Sequence, residues 1–178
     1  MFTSNNSGDN STGKSNNMTM FRVWDKYVIF LVQDVGNVFK YITYDDIPKG
    51  YTAEQLEHKA FENLYRDINF RLAESSVKHG GVYGILAGGD FEAEALLTNI
   101  WSDVSQTLGG DLLIAAPTKD IVLVVSADNS RIVKRMLKFA RKIFSDNINL
   151  SRELIFTKDV FKYSRDTDKI EISSKYKL

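Results

Sequence analysis

Asp90, Glu92, Lys119 and Asp120 are the residues of this chain whose types could do chemistry together. Carboxylates at a Gly-Gly corner before a helix, with an amine and a carboxylate in a Pro-marked turn, could hold a divalent cation or share general acid and base roles. The expected tracing brings them together. A strand over 82–87 runs up, a helix over 91–107 (about 25 Å at 1.5 Å per residue) returns, and a strand over 112–116 runs up again, so the Asp120 turn lands at the edge of Asp90. A rim of that kind would imply a hydrolase or a metal-dependent enzyme. The simpler reading carries more weight: an Asp before a helix caps a free amide, and an Asp in a turn satisfies its own backbone. No catalytic residue, metal ligand or cofactor is therefore assigned. Gly88-Gly89 invites a phosphate at a helix N-terminus, but the Asp90 carboxylate would repel an anion, and the spacing fits neither a Walker loop nor a dinucleotide fingerprint.

Other reactive types are scarce. The chain has no cysteine, which excludes disulfides, thiolate zinc sites and cysteine nucleophiles. His58 falls on a polar helix face and His79 beside a Gly-Gly loop, so paired-histidine metal sites and Ser-His-Asp triads have little to work with. The clearest charge asymmetry is a run of cations, Arg131, Lys134, Arg135, Lys138, Arg141 and Lys142, with no acid between Asp128 and Asp146. Such a run is commonly just a solvated face. As a functional surface it suits an acidic protein partner better than nucleic acid, because no aromatic platform is interleaved.

The elements that position these residues follow from periodicity. Residues 27–32 (YVIFLV) and 38–44 (VFKYITY) read as a hairpin around DVGN, with Phe39, Tyr41 and Tyr44 available to mark an interface. Thr52 and Gln55 form a capping box. Ala53, Leu56, Ala60, Phe61, Leu64, Ile68 and Leu72 then trace one side of a long helix. Asp90 is expected to cap a helix from Phe91 whose buried stripe includes Ala95, Leu96, Ile100, Trp101 and Val104, stopped by Gly109-Gly110. Strands over 112–116 and 121–125 flank a four-residue turn, Pro117–Asp120. Asp128 is expected to cap a third helix with Ile132, Val133, Met136, Leu137, Ala140, Ile143 and Phe144 on its apolar side. Two short strands surround the turn 165–168. Hairpins mixed with helices predict an α+β fold, a mainly antiparallel sheet with three helices packed on one face.

The chain of 178 residues balances 23 basic against 23 acidic side chains, so no global charge draws it to nucleic acid or to an anionic membrane. Residues 1–20, rich in Ser, Asn, Thr and Gly, read as a disordered polar tail, and 21–178 as a single α+β domain. With no secretory pattern and no apolar run long enough to span a bilayer, a cytoplasmic protein is expected.

Two stretches, GGDFEAEALLTNIW from Gly88 and GGDLLIAAPTKDIVLVVSAD from Gly109, resemble the central signature of the YtpQ-like bacterial proteins, a family of unknown function. The strand VFKYIT, the helix step Ala60-Phe61-Glu62-Asn63-Leu64, the Gly110-Asp111 pair and the last strands extend the resemblance over about residues 25–172. The polar tail stands where full-length members carry a further N-terminal region. The resemblance implies a bacterial cytoplasmic origin and an α+β fold, and it brings no reaction or site residue with it.

A non-catalytic interaction protein is therefore expected, binding a protein partner through a sheet edge or the basic helix. A toxin-neutralising immunity protein is one form of that role. The alternative is an enzyme at the Asp90/Asp120 rim, and a homo-oligomer is a third reading.

Overall fold

A computed structural model describes residues 2–3, 20–36, 38–74, 80–88, 92–148 and 156–178. The chain divides into two compact units, Met1–Arg66 and Asp67–Leu178.

In the first unit, β1 (Phe2–Thr3) and β2 (Met20–Trp24) pair antiparallel on either side of β3 (Tyr27–Phe30). Residues 4–19 of the expected tail lie outside the described residues. The expected first hairpin is shorter than the sequence suggested. Its first run divides at Leu31, so that β3 turns back onto β2 and only β4 (Val32–Asp34) pairs with β5 (Phe39–Tyr41). Asp34 closes this turn by accepting the Gly36 amide at 2.8 Å. Helix α1 (Ala53–Asp67) opens with the capping box: the Thr52 amide donates to Gln55 Oε1 at 2.9 Å and the Gln55 amide to Thr52 Oγ1 at 3.3 Å.

The second unit is built on a six-stranded antiparallel sheet, ordered β11-β10-β8-β9-β7-β6. Its strands are β6 (Arg71–Glu74), β7 (Tyr83–Leu86), β8 (Leu112–Thr118), β9 (Ile121–Ser126), β10 (Asp159–Ser164) and β11 (Lys169–Lys177). Strand β6 occupies residues that helical spacing had assigned to the end of α1. Leu72 sits opposite Ile85 in the sheet instead, a case of strand pairing overriding local periodicity.

The helices do not share one face. Leu113, Ala115, Leu123, Val125 and Val160 pack against Val133, Met136, Leu137 and Ala140 of α3 (Ser130–Ile148). The alternate residues Leu112, Ile114, Ala116, Val122, Val124, Phe161 and Tyr163 point to the other face and are equally buried. Helix α2 (Trp101–Leu108) serves that face, where Ser102 hydrogen-bonds Tyr163. The sequence carried this signal: LLIAA and IVLVV are unbroken apolar runs, and strands buried on both faces do not alternate.

The helix expected over 91–107 is two pieces. A 3₁₀ helix over Ala93–Leu97 ends at Thr98, whose backbone is extended, before α2 begins. The Ala95 carbonyl explains the break, because it accepts the Thr98 amide (3.1 Å), the Thr98 hydroxyl (2.7 Å) and the Trp101 indole N–H (2.8 Å). Side-chain donors have displaced the amide that a continuous helix would offer. Pro117 lies within β8, where the register with β9 slips between Ala115 and Thr118, so the reversing turn is only Lys119-Asp120. The cap of α3 is Asn129, not Asp128: Asn129 Oδ1 accepts the Ile132 amide at 3.2 Å and the Asn129 carbonyl accepts that of Val133.

Candidate functional site

The two corners of the expected rim do meet. The Ala93 amide donates to the Lys119 carbonyl at 3.0 Å, which fixes the start of the 3₁₀ helix beside the β8–β9 turn. Asp90 lies outside the described residues. Glu92 is only 3% exposed, and its Oε1 accepts the Ala87 amide at 2.9 Å, so its carboxylate secures the corner after β7. Lys119 and Asp120 are exposed. Among the described residues, no group of three or more Asp, Glu or His side chains is placed to hold a metal ion.

Sequence reasoning missed Glu94, a charged residue inside the apolar run EAEALL. Its Oε2 is buried with no hydrogen-bond partner among the described residues. Burial pushes the Glu94 carboxyl above its ordinary value near 4.5, and the neighbouring Glu92 carboxylate adds to the shift. A carboxyl whose folded pKa exceeds its unfolded one favours the fold below the unfolded value, and that contribution is lost as pH rises through the folded value. Glu94→Gln is therefore expected to raise the melting temperature at pH 7 and to change it little near pH 4. An equal effect at both pH values, followed by circular dichroism, would contradict this.

A cleft of about 220 Å³ lies at the opposite end of the strands, lined by Gly81, Tyr83, Thr107, Leu108, Ser126, Asn129 and Ile132. Its polar groups serve their own backbone. Thr107 Oγ1 donates to the Asp103 carbonyl, Ser126 Oγ donates to the Gly109 carbonyl, and Asn129 caps α3. No carboxylate, amine or imidazole lines it. His58 is an exposed partner of Glu62 on α1 at 3.3 Å, and His79 lies outside the described residues.

The basic helix resolves into two groups. Arg135 is half-buried and donates to the Gly80 carbonyl at 3.0 Å, Arg141 donates to the Lys177 carbonyl at 2.8 Å, and Lys142 pairs with Asp146 at 2.5 Å. These three tie α3 to the rest of its unit or to its own last turn. Arg131, Lys134 and Lys138 are exposed. At spacings of three and four residues they form one stripe along the outer side of α3, opposite Val133, Met136, Leu137 and Ala140.

No helix among the described residues is long and apolar enough to cross a membrane. No family model matches the chain, and no solved structure matches it. Over 98 residues, 54% of this chain, it is 28% identical to a UPF0354 protein, lwe1624, of Listeria welshimeri. That stretch covers 36% of the Listeria protein, so the chain spans about a third of the length of this curated relative. The likeness is partial and distant, to a family of unknown function, and it brings no activity to this chain.

Proposed function

We propose that this protein is a non-catalytic binding protein whose α3 outer face engages an acidic protein partner. The observation behind this reading is the stripe Arg131, Lys134 and Lys138: three exposed cations with no acid on the helix before Asp146. Exposed cations of one sign steer an oppositely charged partner and set its register, with modest energy from each contact. The sheet edges suit a partner less well. Strand β6 has four residues, and β11 breaks register between Ile172 and Lys177, where Ser173 Oγ accepts the amides of Lys175 and Tyr176. A bulged edge with lysines discourages strand addition. The enzyme reading has less support, since Glu92 already accepts a backbone amide and Asp120 stands exposed.

The test uses poly-L-glutamate as an acidic probe. The protein should bind it with an affinity that falls as salt is raised. Neutralising the stripe with R131A/K134A/K138A should weaken binding by about tenfold at low salt with the melting temperature unchanged. Equal affinity of the variant and the parent protein would overturn the proposal.

A further inference from the structure

The stripe on α3 leads to a second group of cations that the linear sequence does not connect to it. Arg141 follows Lys138 by three residues and donates to the Lys177 carbonyl at 2.8 Å, so the end of β11 adjoins the last third of the stripe. The Leu178 amide donates to the Lys158 carbonyl at 2.8 Å, which brings Lys158 to the same place. Tyr176 and Leu178 pack against the core cluster shared with α3, and strand alternation turns Lys175 and Lys177 outward. Lys158, Lys175 and Lys177 are all exposed. Lys175 holds its ammonium 5.1 Å from the Tyr176 ring centroid, which braces its stem while leaving the charge at the surface. The acid opposite Lys177 in the ladder, Asp159, is only 1% exposed and adds no charge to this face.

We infer that the partner-binding surface is a single cationic track that runs along α3 from Arg131 to Arg141 and continues onto Lys158, Lys175 and Lys177, and that it takes an extended acidic peptide segment. This rests on the reading of α3 given above. The α3 portion measures about 15 Å at 1.5 Å per residue. Its cations recur every 4.5–6 Å or so, close to the roughly 6.6 Å between alternate side chains of an extended chain. About five residues of such a chain would cover the helix, and a few more would reach the end of β11. The stripe residues have no exposed aromatic among them on which bases could stack, so an acidic peptide fits better than a nucleic acid.

Fluorescence anisotropy of labelled poly-L-glutamate on the full chain, with two separate triple variants, tests this. K158A/K175A/K177A should weaken binding by about fivefold or more, and R131A/K134A/K138A should weaken it independently. If only the α3 variant loses affinity, the track ends at α3 and this inference is wrong while the proposed function stands. If neither does, both fall. Duplex DNA displacing the probe at lower concentration than unlabelled poly-L-glutamate would also overturn the inference. K158Q/K175Q/K177Q, which keeps the packing of the stems, should behave like the alanine variant; recovery of parental affinity would mean that packing, not charge, was lost.

Discussion

Trp101→Ala is expected to destabilise the Asp67–Leu178 unit by about 3–5 kcal/mol, lowering its melting temperature on the order of 10–25 °C. Trp101 is 1% exposed and is among the largest fully buried side chains. It opens α2, and its indole N–H reaches back to the Ala95 carbonyl, holding the 3₁₀ helix and α2 together across the Thr98 break. Truncation would leave a cavity in the layer covering the second face of the sheet, and the break has no continuous helical ladder to compensate. Trp101→Phe separates the two contributions. Ala95 O keeps both donors from Thr98, so losing the indole N–H should cost about 1 kcal/mol together with a smaller packing loss. Thermal unfolding of both variants checks this, and an alanine variant within a few degrees of the parent would show that the α2 layer is not integral to the unit.

The fold was legible where one signal dominated. Helix α3 has an uninterrupted apolar stripe against an uninterrupted cationic one, and both proved correctly placed; Phe139, which packs against the same core, was the one apolar position passed over. Strands β8 and β9 were equally plain. Elsewhere, decisions lay in contacts that a linear pattern does not contain. Ile68 and Leu72 keep helical spacing with α1, yet β7 recruits residues 71–74 as a strand. Asp128 and Asn129 are both good caps, and geometry selects the second. Carbonyl capture by Thr98 and Trp101 splits a helix that periodicity alone would continue. The meeting of the Glu92 and Lys119 corners followed from counting strand directions, because antiparallel tracing constrains which ends coincide. Of the six cations singled out on α3, the sequence could not separate Arg135 and Arg141, which bond to distant carbonyls, from Arg131, Lys134 and Lys138. Nor could it join Lys177 to Arg141.

Reversing the stripe should have a far larger effect on binding than neutralising it. R131E/K134E/K138E changes the local charge by six units while leaving the apolar face of α3 untouched. At about 0.5–1 kcal/mol for each unit of charge at an exposed site, the loss for an acidic partner is about 3–6 kcal/mol, at least a hundredfold in affinity. Folding should tolerate the change. Arg131 lies in the first turn of α3, where a carboxylate is favoured by the helix dipole, and an acid at 138 stands four residues before Lys142, the favourable order for a helical ion pair. The stability change should stay within about 1 kcal/mol.

The most direct measurement is a calorimetric titration of poly-L-glutamate into the parent protein, R131E/K134E/K138E and the rim variant E92Q/D120N at low salt, with circular dichroism confirming that each is folded. The account predicts binding by the parent and the rim variant with similar affinity, and no measurable heat from the reversed stripe. Undiminished binding by a folded reversed-stripe protein would contradict the assignment of the functional surface to α3.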